Sequence, residues 1–184
     1  MRTVFSFQMV SLDGFFEGPS RELDWHNVDE EFHKFAGHQL STVDTLLFGR
    51  VTYQMLAAYW PAAAESDPMI AGRMNSLPKL VFSRTLRSVE WNNSRLMKEN
   101  LVEEVSKLKN QPGKDIALLG SASLLTTLMD ANLVDEHRIM IAPIVLGSGN
   151  PLFRELERRQ GLKMLRSTAF KSGNVLLVYA PITN

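Results

Sequence analysis

Two apolar runs in this chain end in the same way. Residues 45–48 read TLLF and lead into Gly49, Arg50 and the periodic segment VTYQML; residues 115–119 read DIALL and lead into Gly120, Ser121 and ASLLTTLM. An apolar run without polar alternation is what a strand buried on both faces requires. Glycine and small polar residues before an apolar-periodic stretch mark a strand turning into a helix. Two such junctions commit the chain to strands joined by crossover helices, and hence to a mainly parallel sheet covered on both faces.

The remaining segments fit that plan. TVFSFQMV at 3–10 predicts a strand and SLDG at 11–14 a turn. A helix follows from Asp29, with Phe32, Phe35, Ala36, Gln39 and Leu40 on helical spacing behind an acidic first turn. Residues 52–59 predict a helix stopped before Pro61, SDPMIAGRMNSL a helix with Pro68 in its first turn, and KLVFS at 79–83 a strand. In NLVEEVSKLK, Asn100 is the expected cap, with Glu103 three residues on. HRIMIAP is a strand and IVLGSGNPLF a glycine-rich loop; LKMLRSTAF and NVLLVYAPI around KSG form a C-terminal hairpin. The expected fold is a single mixed α/β domain over residues 1–184. Its central sheet is mainly parallel, flanked by helices and completed by a C-terminal antiparallel hairpin.

Charge and composition narrow the function. Lys+Arg and Asp+Glu both number 20, so no global field draws the chain to nucleic acid or an anionic membrane, and a bound anion needs a local site. The absence of cysteine excludes disulfides, thiolate nucleophiles and Cys-based zinc sites. No apolar run approaches a membrane span and MRTVFSFQMVSLDG has no signal-peptide pattern, which leaves a cytoplasmic protein as the expectation.

The junctions supply a local anion site. A helix start leaves N–H groups unpaired at the positive end of its dipole, and glycine lets a phosphate approach them closely. An arginine in a first turn opposes that dipole, so Arg50 is better explained by an anion, which its fork suits. Ser83 and Arg84 repeat the theme at the end of KLVFS. The plainer alternative is that any α/β domain needs small residues at such turns. No G-x-G-x-x-G or G-x-x-x-x-G-K-[ST] is present.

In order, SLDG, LLFGRVTYQ, KLVFSRTL, DIALLGSASLL and LVDEHRIMIAPIVLGSGNPLF resemble the dihydrofolate-reductase-like superfamily. The resemblance covers nearly the whole chain. It is closest to the C-terminal reductase domain of the bifunctional riboflavin-biosynthesis deaminase–reductase, although the deaminase zinc motif is absent. The resemblance implies NADPH at the carboxyl ends of the strands. Gly49, Arg50 and Thr52 would meet the phosphates, Ser83 and Arg84 the 2′-phosphate and adenine, and Gly120, Ser121, Ala122 and Leu124 the pyrophosphate and nicotinamide side. Gly120-Ser121 departs from the Gly-Gly usual in dihydrofolate reductases.

On the substrate side, the resemblance places Asp13 beside the nicotinamide and an acid of the 29–31 segment on the substrate. Glu31 is the closest match, and Trp25 and Phe35 line the pocket. Each has a structural alternative: a turn aspartate, a dipole-favoured first-turn acid and aromatic core anchors. His26, His33, His38 and His137 lack metal-ligand spacing, and no serine lies in a G-x-S-x-G context. The expected protein is an NADPH-dependent reductase of a small molecule, its rivals being a reductase of another heterocycle and a nucleotide-binding module without turnover. A homodimer is expected too. The riboflavin-type reductases pair through their sheets, and VLLVYAPI is too apolar for a solvent-exposed edge; the alternative is that this strand lies inside the sheet, covered on both faces, with no partner needed.

Overall fold

The computed structural model describes residues 1–182. Ten strands and five α-helices follow in chain order. They are β1 (Val4–Val10), β2 (Phe15–Glu17), α1 (Glu30–Ser41), β3 (Val43–Gly49), α2 (Arg50–Tyr59), α3 (Pro68–Ser76), β4 (Lys79–Phe82) and β5 (Ser94–Met97). Then come α4 (Leu101–Lys109), β6 (Asp115–Leu119), α5 (Ala122–Asp130), β7 (Glu136–Ile141), β8 (Asn150–Pro151), β9 (Leu162–Ala169) and β10 (Val175–Pro181).

Eight strands form one sheet in the order β5-β4-β3-β6-β1-β7-β10-β9, while β2 and β8 pair separately as a short antiparallel ribbon. From β5 to β7 every neighbour is parallel; β10 and β9 are antiparallel additions. Successive side chains of a strand point to opposite faces, so a sheet covered on both sides needs unbroken apolar sequence. Leu46 and Phe48 pack with Phe5, Ile70, Met74 and Trp91 on one face, and Leu47 joins Val4, Leu118, Leu125 and Leu128 on the other.

Local chemistry sets the helix starts. The Asp29 carboxylate accepts from Phe32 N at 2.8 Å and begins α1. Asp67 does the same for Ile70 N at 3.2 Å, with Pro68 opening α3. The expected cap of α4 does not form. Asn100 takes a left-handed conformation (φ 64) and its side chain makes no capping bond, so the capping box is absent too.

Of the two placements open for VLLVYAPI, the interior one holds. Val175–Pro181 is not an edge strand, because β10 lies between β7 and β9 with ladder bonds on both sides. Its apolar sequence is that of an interior strand. The edge is β9, exposed at all eight residues.

Candidate functional site

Parallel pairing brings the two strand–glycine–helix junctions to one edge of the sheet. With Leu47 opposite Leu118, the carboxyl ends of β3 and β6 arrive together. Gly49 precedes α2 and Ser121 precedes α5, and neither helix start has a side-chain cap or an acid in its first turn. Their outward N–H groups lack the carboxylates that serve α1 and α3.

Ser121 bolts the junctions together. Its hydroxyl accepts from the buried Gly49 N at 2.8 Å and donates to Thr52 Oγ1 at 2.9 Å. Gln8, buried in β1, donates from Nε2 to Gly120 O at 2.7 Å and fixes the other side of the turn. Gly120 (φ 59) and Ser121 (φ 60) are both left-handed. For a residue with a Cβ this costs ~1–2 kcal/mol, which the two hydroxyl bonds offset at ~0.5–1.5 kcal/mol each. Ser121→Ala keeps the strain and strands a buried N–H, so it should cost about 1–2 kcal/mol. Ser121→Gly relieves the strain and should cost visibly less. Urea denaturation of both variants checks the order; equal losses would mean the left-handed serine carries no strain.

A cleft of about 310 Å³ opens in front of these helix starts. Gly49, Arg50, Thr52, Ser83, Ser121, Ala122 and Leu124 all line it. Gly120 lies behind this wall, where an added Cβ would meet the Thr52 side chain at 3.1 Å. Arg84 is exposed and outside the lining residues. Ser83 Oγ accepts from Thr85 N at 3.2 Å and Leu86 N at 3.0 Å, shaping the turn that carries Arg84. Arg50 is exposed, and among the described residues its guanidinium donates only to Gln54 Oε1, at 3.2 Å. Phe16, Glu17, Arg21 and Arg154 complete the far wall. Sequence reasoning missed these four because Phe16 and Glu17 sit in a strand of three residues, too short to show a period, and Arg21 and Arg154 lie in irregular segments beyond β2 and β8.

Asp13, Trp25, Glu31 and Phe35 do not line this cleft. Asp13 is exposed, and its carboxylate accepts from Leu146 N at 3.1 Å and Gly147 N at 2.7 Å. The Ser11 hydrogen bond, followed by those backbone donors, holds it below the ordinary carboxylate range. Glu31 Oε2 accepts from Lys171 N at 2.8 Å, tying α1 to the turn between β9 and β10. Phe35 joins half-buried Phe7 at 5.6 Å between ring centroids and Phe170 at 5.8 Å. Half-buried Trp25 donates from Nε1 to Glu22 O at 3.1 Å and packs edge-on against His26. Burial pushes His26 down to about 4, so it is neutral at physiological pH.

This architecture, with paired helix starts facing an anion-suited cleft at the carboxyl edge, is the dihydrofolate-reductase-like class of α/β protein. The Enterococcus faecalis dihydrofolate reductase complexed with NADP(H) has the same fold at 14% identity, with TM-score 0.64 over 98% of this chain and 97% of that one. The chain belongs to the RibD C-terminal domain family, whose model matches residues 2–176. The Bacillus subtilis (strain 168) protein YyaP is 42% identical over 174 residues, covering 92% of this chain and 90% of its own. A putative riboflavin biosynthesis protein from Shewanella sp. PV-4 is similar in structure at 26% identity, with TM-score 0.76 over 98% of this chain and 99% of that one. Among the described residues no helix is long and apolar enough to cross a membrane.

Proposed function

We propose that this chain is an NADPH-dependent cytoplasmic reductase acting on a C=N or C=O carbon of a small heterocyclic or ribityl-precursor substrate. Its reaction would resemble that of 5-amino-6-(5-phosphoribosylamino)uracil reductase in riboflavin biosynthesis. The observation that carries this reading is the pair of uncapped helix starts, bridged by Ser121 and opening with Arg50 onto one cleft. The donor set fits a dinucleotide, since two uncapped helix starts and three arginines line the cleft, with Glu17 the one acid among the described lining residues.

When bound, the cofactor supplies the hydride. The protein's part is binding and orientation. Gly49, Thr52, Ser121, Ala122 and Leu124 present the two helix starts to the phosphates, Gly120 sets the turn behind them, and Arg50 and Arg84 reach the 2′-phosphate beside Ser83. Asp13, held ionised, is suited to accept a hydrogen bond from substrate rather than to give up a proton. Glu31 orients the substrate from α1, water delivers the proton, and Trp25 and Phe35 give the substrate an apolar wall.

Loss of NADPH absorbance with a panel of aminouracil, pterin and aldehyde substrates tests the reading; no turnover with any of them would reduce it to nucleotide binding. Arg50→Ala should weaken NADPH by about 1.5–2 kcal/mol, roughly ten- to thirtyfold, with little change for NADH. The lower end of the range applies because Arg50 is exposed and its charge is screened. Equal loss in both titrations would move Arg50 to the pyrophosphate.

The homodimer reading now rests on β9, the outer strand of the hairpin, which leaves Leu162, Met164 and Leu165 exposed beside the charged Lys163 and Arg166. Light scattering should give about twice the 20.8 kDa chain mass. A single-chain mass that holds as concentration rises would rule it out.

A further inference from the structure

The cleft has a second wall that the helix starts do not supply. We infer that Arg154 and Arg21, which follow the strands β8 and β2 of the short ribbon, are anion-binding residues that complete the grip on the cofactor's diphosphate begun by the starts of α2 and α5. This rests on the dinucleotide reading above and assigns two binding residues beyond it.

The ribbon is a built element. Phe15 pairs with Pro151 and Glu17 with Asn150, and Asn150 Nδ2 donates to Glu17 Oε1 at 2.7 Å. Gly149 packs so closely that an added Cβ would meet Glu17 O at 2.5 Å. Beyond β8 the chain runs along α5. Leu152 is buried at 2% exposure in the α4–α5 core, and Leu156 packs against the same cluster. Thr126 Oγ1 donates to Arg154 O at 3.4 Å, and Glu157 N donates to Asp130 Oδ1 at 3.4 Å. The backbone that bears Arg154 is thereby fastened beside the helix whose first turn faces the cleft.

The charges point the same way. Among the described lining residues, Arg21, Arg50 and Arg154 stand against Glu17 as the one acid, on a chain whose Lys+Arg and Asp+Glu total 20 each. Glu17 is already engaged by Asn150 and stands 3.9 Å from Arg21 Nε. Among the described residues Arg154 has no ion-pair partner. Guanidiniums held with like charge around one cleft repel each other unless an anion lies between them. A diphosphate carries several anionic oxygens, so helix N–H groups can take some of them and these arginines the others.

The test uses the full chain and fluorescence titration with NADPH, NADH and adenosine 2′-monophosphate. Arg154→Met should weaken NADPH and NADH by the same factor, about tenfold, and leave adenosine 2′-monophosphate unchanged, because that probe lacks the diphosphate. Arg21→Met should act in the same direction, and Arg154→Lys should recover part of the loss. Arg158→Met, farther along the segment that follows β8 and outside the cleft lining, is the control and should bind as wild type. A thermal melt of each variant separates binding loss from unfolding. Wild-type affinity in Arg154→Met overturns this inference while leaving the reductase reading intact. A loss confined to NADPH also overturns it, placing Arg154 on the 2′-phosphate. No NADPH binding by wild type overturns both.

Discussion

Lys79→Met should lower stability by about 3 kcal/mol, a fall of roughly 6–12 °C in melting temperature for a chain of this size. Lys79 opens β4 and is 1% exposed. Its ammonium donates to Leu77 O at 2.7 Å, Asn92 O at 2.9 Å and Asn75 O at 3.2 Å, and lies 4.4 Å from the centre of the Trp91 ring. One side chain thus serves the end of α3, the approach to β4 and the turn before β5. Methionine would fill the volume but strand those carbonyls, at ~1–3 kcal/mol for each one that water cannot reach, and would lose the cation–π contact.

The same site makes a pH prediction. Burial pushes Lys79 from its ordinary 10.5 down to about 8. Between those values the unfolded chain holds a proton that the folded chain has released, so this group adds stability as pH rises through that window. Methionine has no such term, and the gap between wild type and variant should widen from pH 8 toward 10.5. Urea melts at several pH values measure it. A gap that stays constant would show that the three carbonyls hold the ammonium fully charged throughout.

Nothing in KLVFS announced that its lysine is buried; a lysine at a strand start ordinarily marks a solvated end. The junctions were legible because their signals are local: an unbroken apolar run, a glycine, then helical spacing. What could not be read locally was the pairing of β3 with β6, which lets Ser121 reach Gly49 and Thr52. The family resemblance brought those residues to one cofactor, but not to one another. The ribbon escaped because β8 has only two residues and β2 three. β5, an outer strand of four residues with Ser94 and Arg95 in it, shows no alternation strong enough to distinguish it from loop. The C-terminal hairpin was visible, and its two strands carried the information about which lies outside. Lys163 and Arg166 on β9 are the charges that edge strands use, whereas the apolar run on β10 is what an interior strand needs. Apolar sequence alone leaves two readings open, a surface awaiting a partner and an interior strand, and the ladder bonds on both sides of β10 decide for the second.

Gly120→Val should cost about 3 kcal/mol of stability and more than tenfold in NADPH affinity, and the two losses share one cause. Glycine at this position takes φ 59, where a side chain costs ~1–2 kcal/mol and a β-branched one more. An added Cβ would meet Thr52 Cγ2 and Oγ1, both at 3.1 Å, before either methyl of valine is considered. Overpacking of that kind costs a further ~1–3 kcal/mol. Thr52 is on α2 and accepts the Ser121 hydroxyl, so pushing it away opens the bridge between the junctions and turns the two helix starts out of register. The cleft is then lost through its back wall, not by a side chain standing where phosphate should be. Guanidinium denaturation beside an NADPH titration tests this, with Gly120→Ala as the intermediate case. Alanine adds the Cβ without the methyls and should show both losses at smaller size. If valine abolished binding while stability stayed within about 0.5 kcal/mol of wild type, the space at Gly120 would belong to the ligand, and Thr52 would be free to move. If stability fell while binding survived in the folded fraction, the bridge would matter to the fold and not to the cleft.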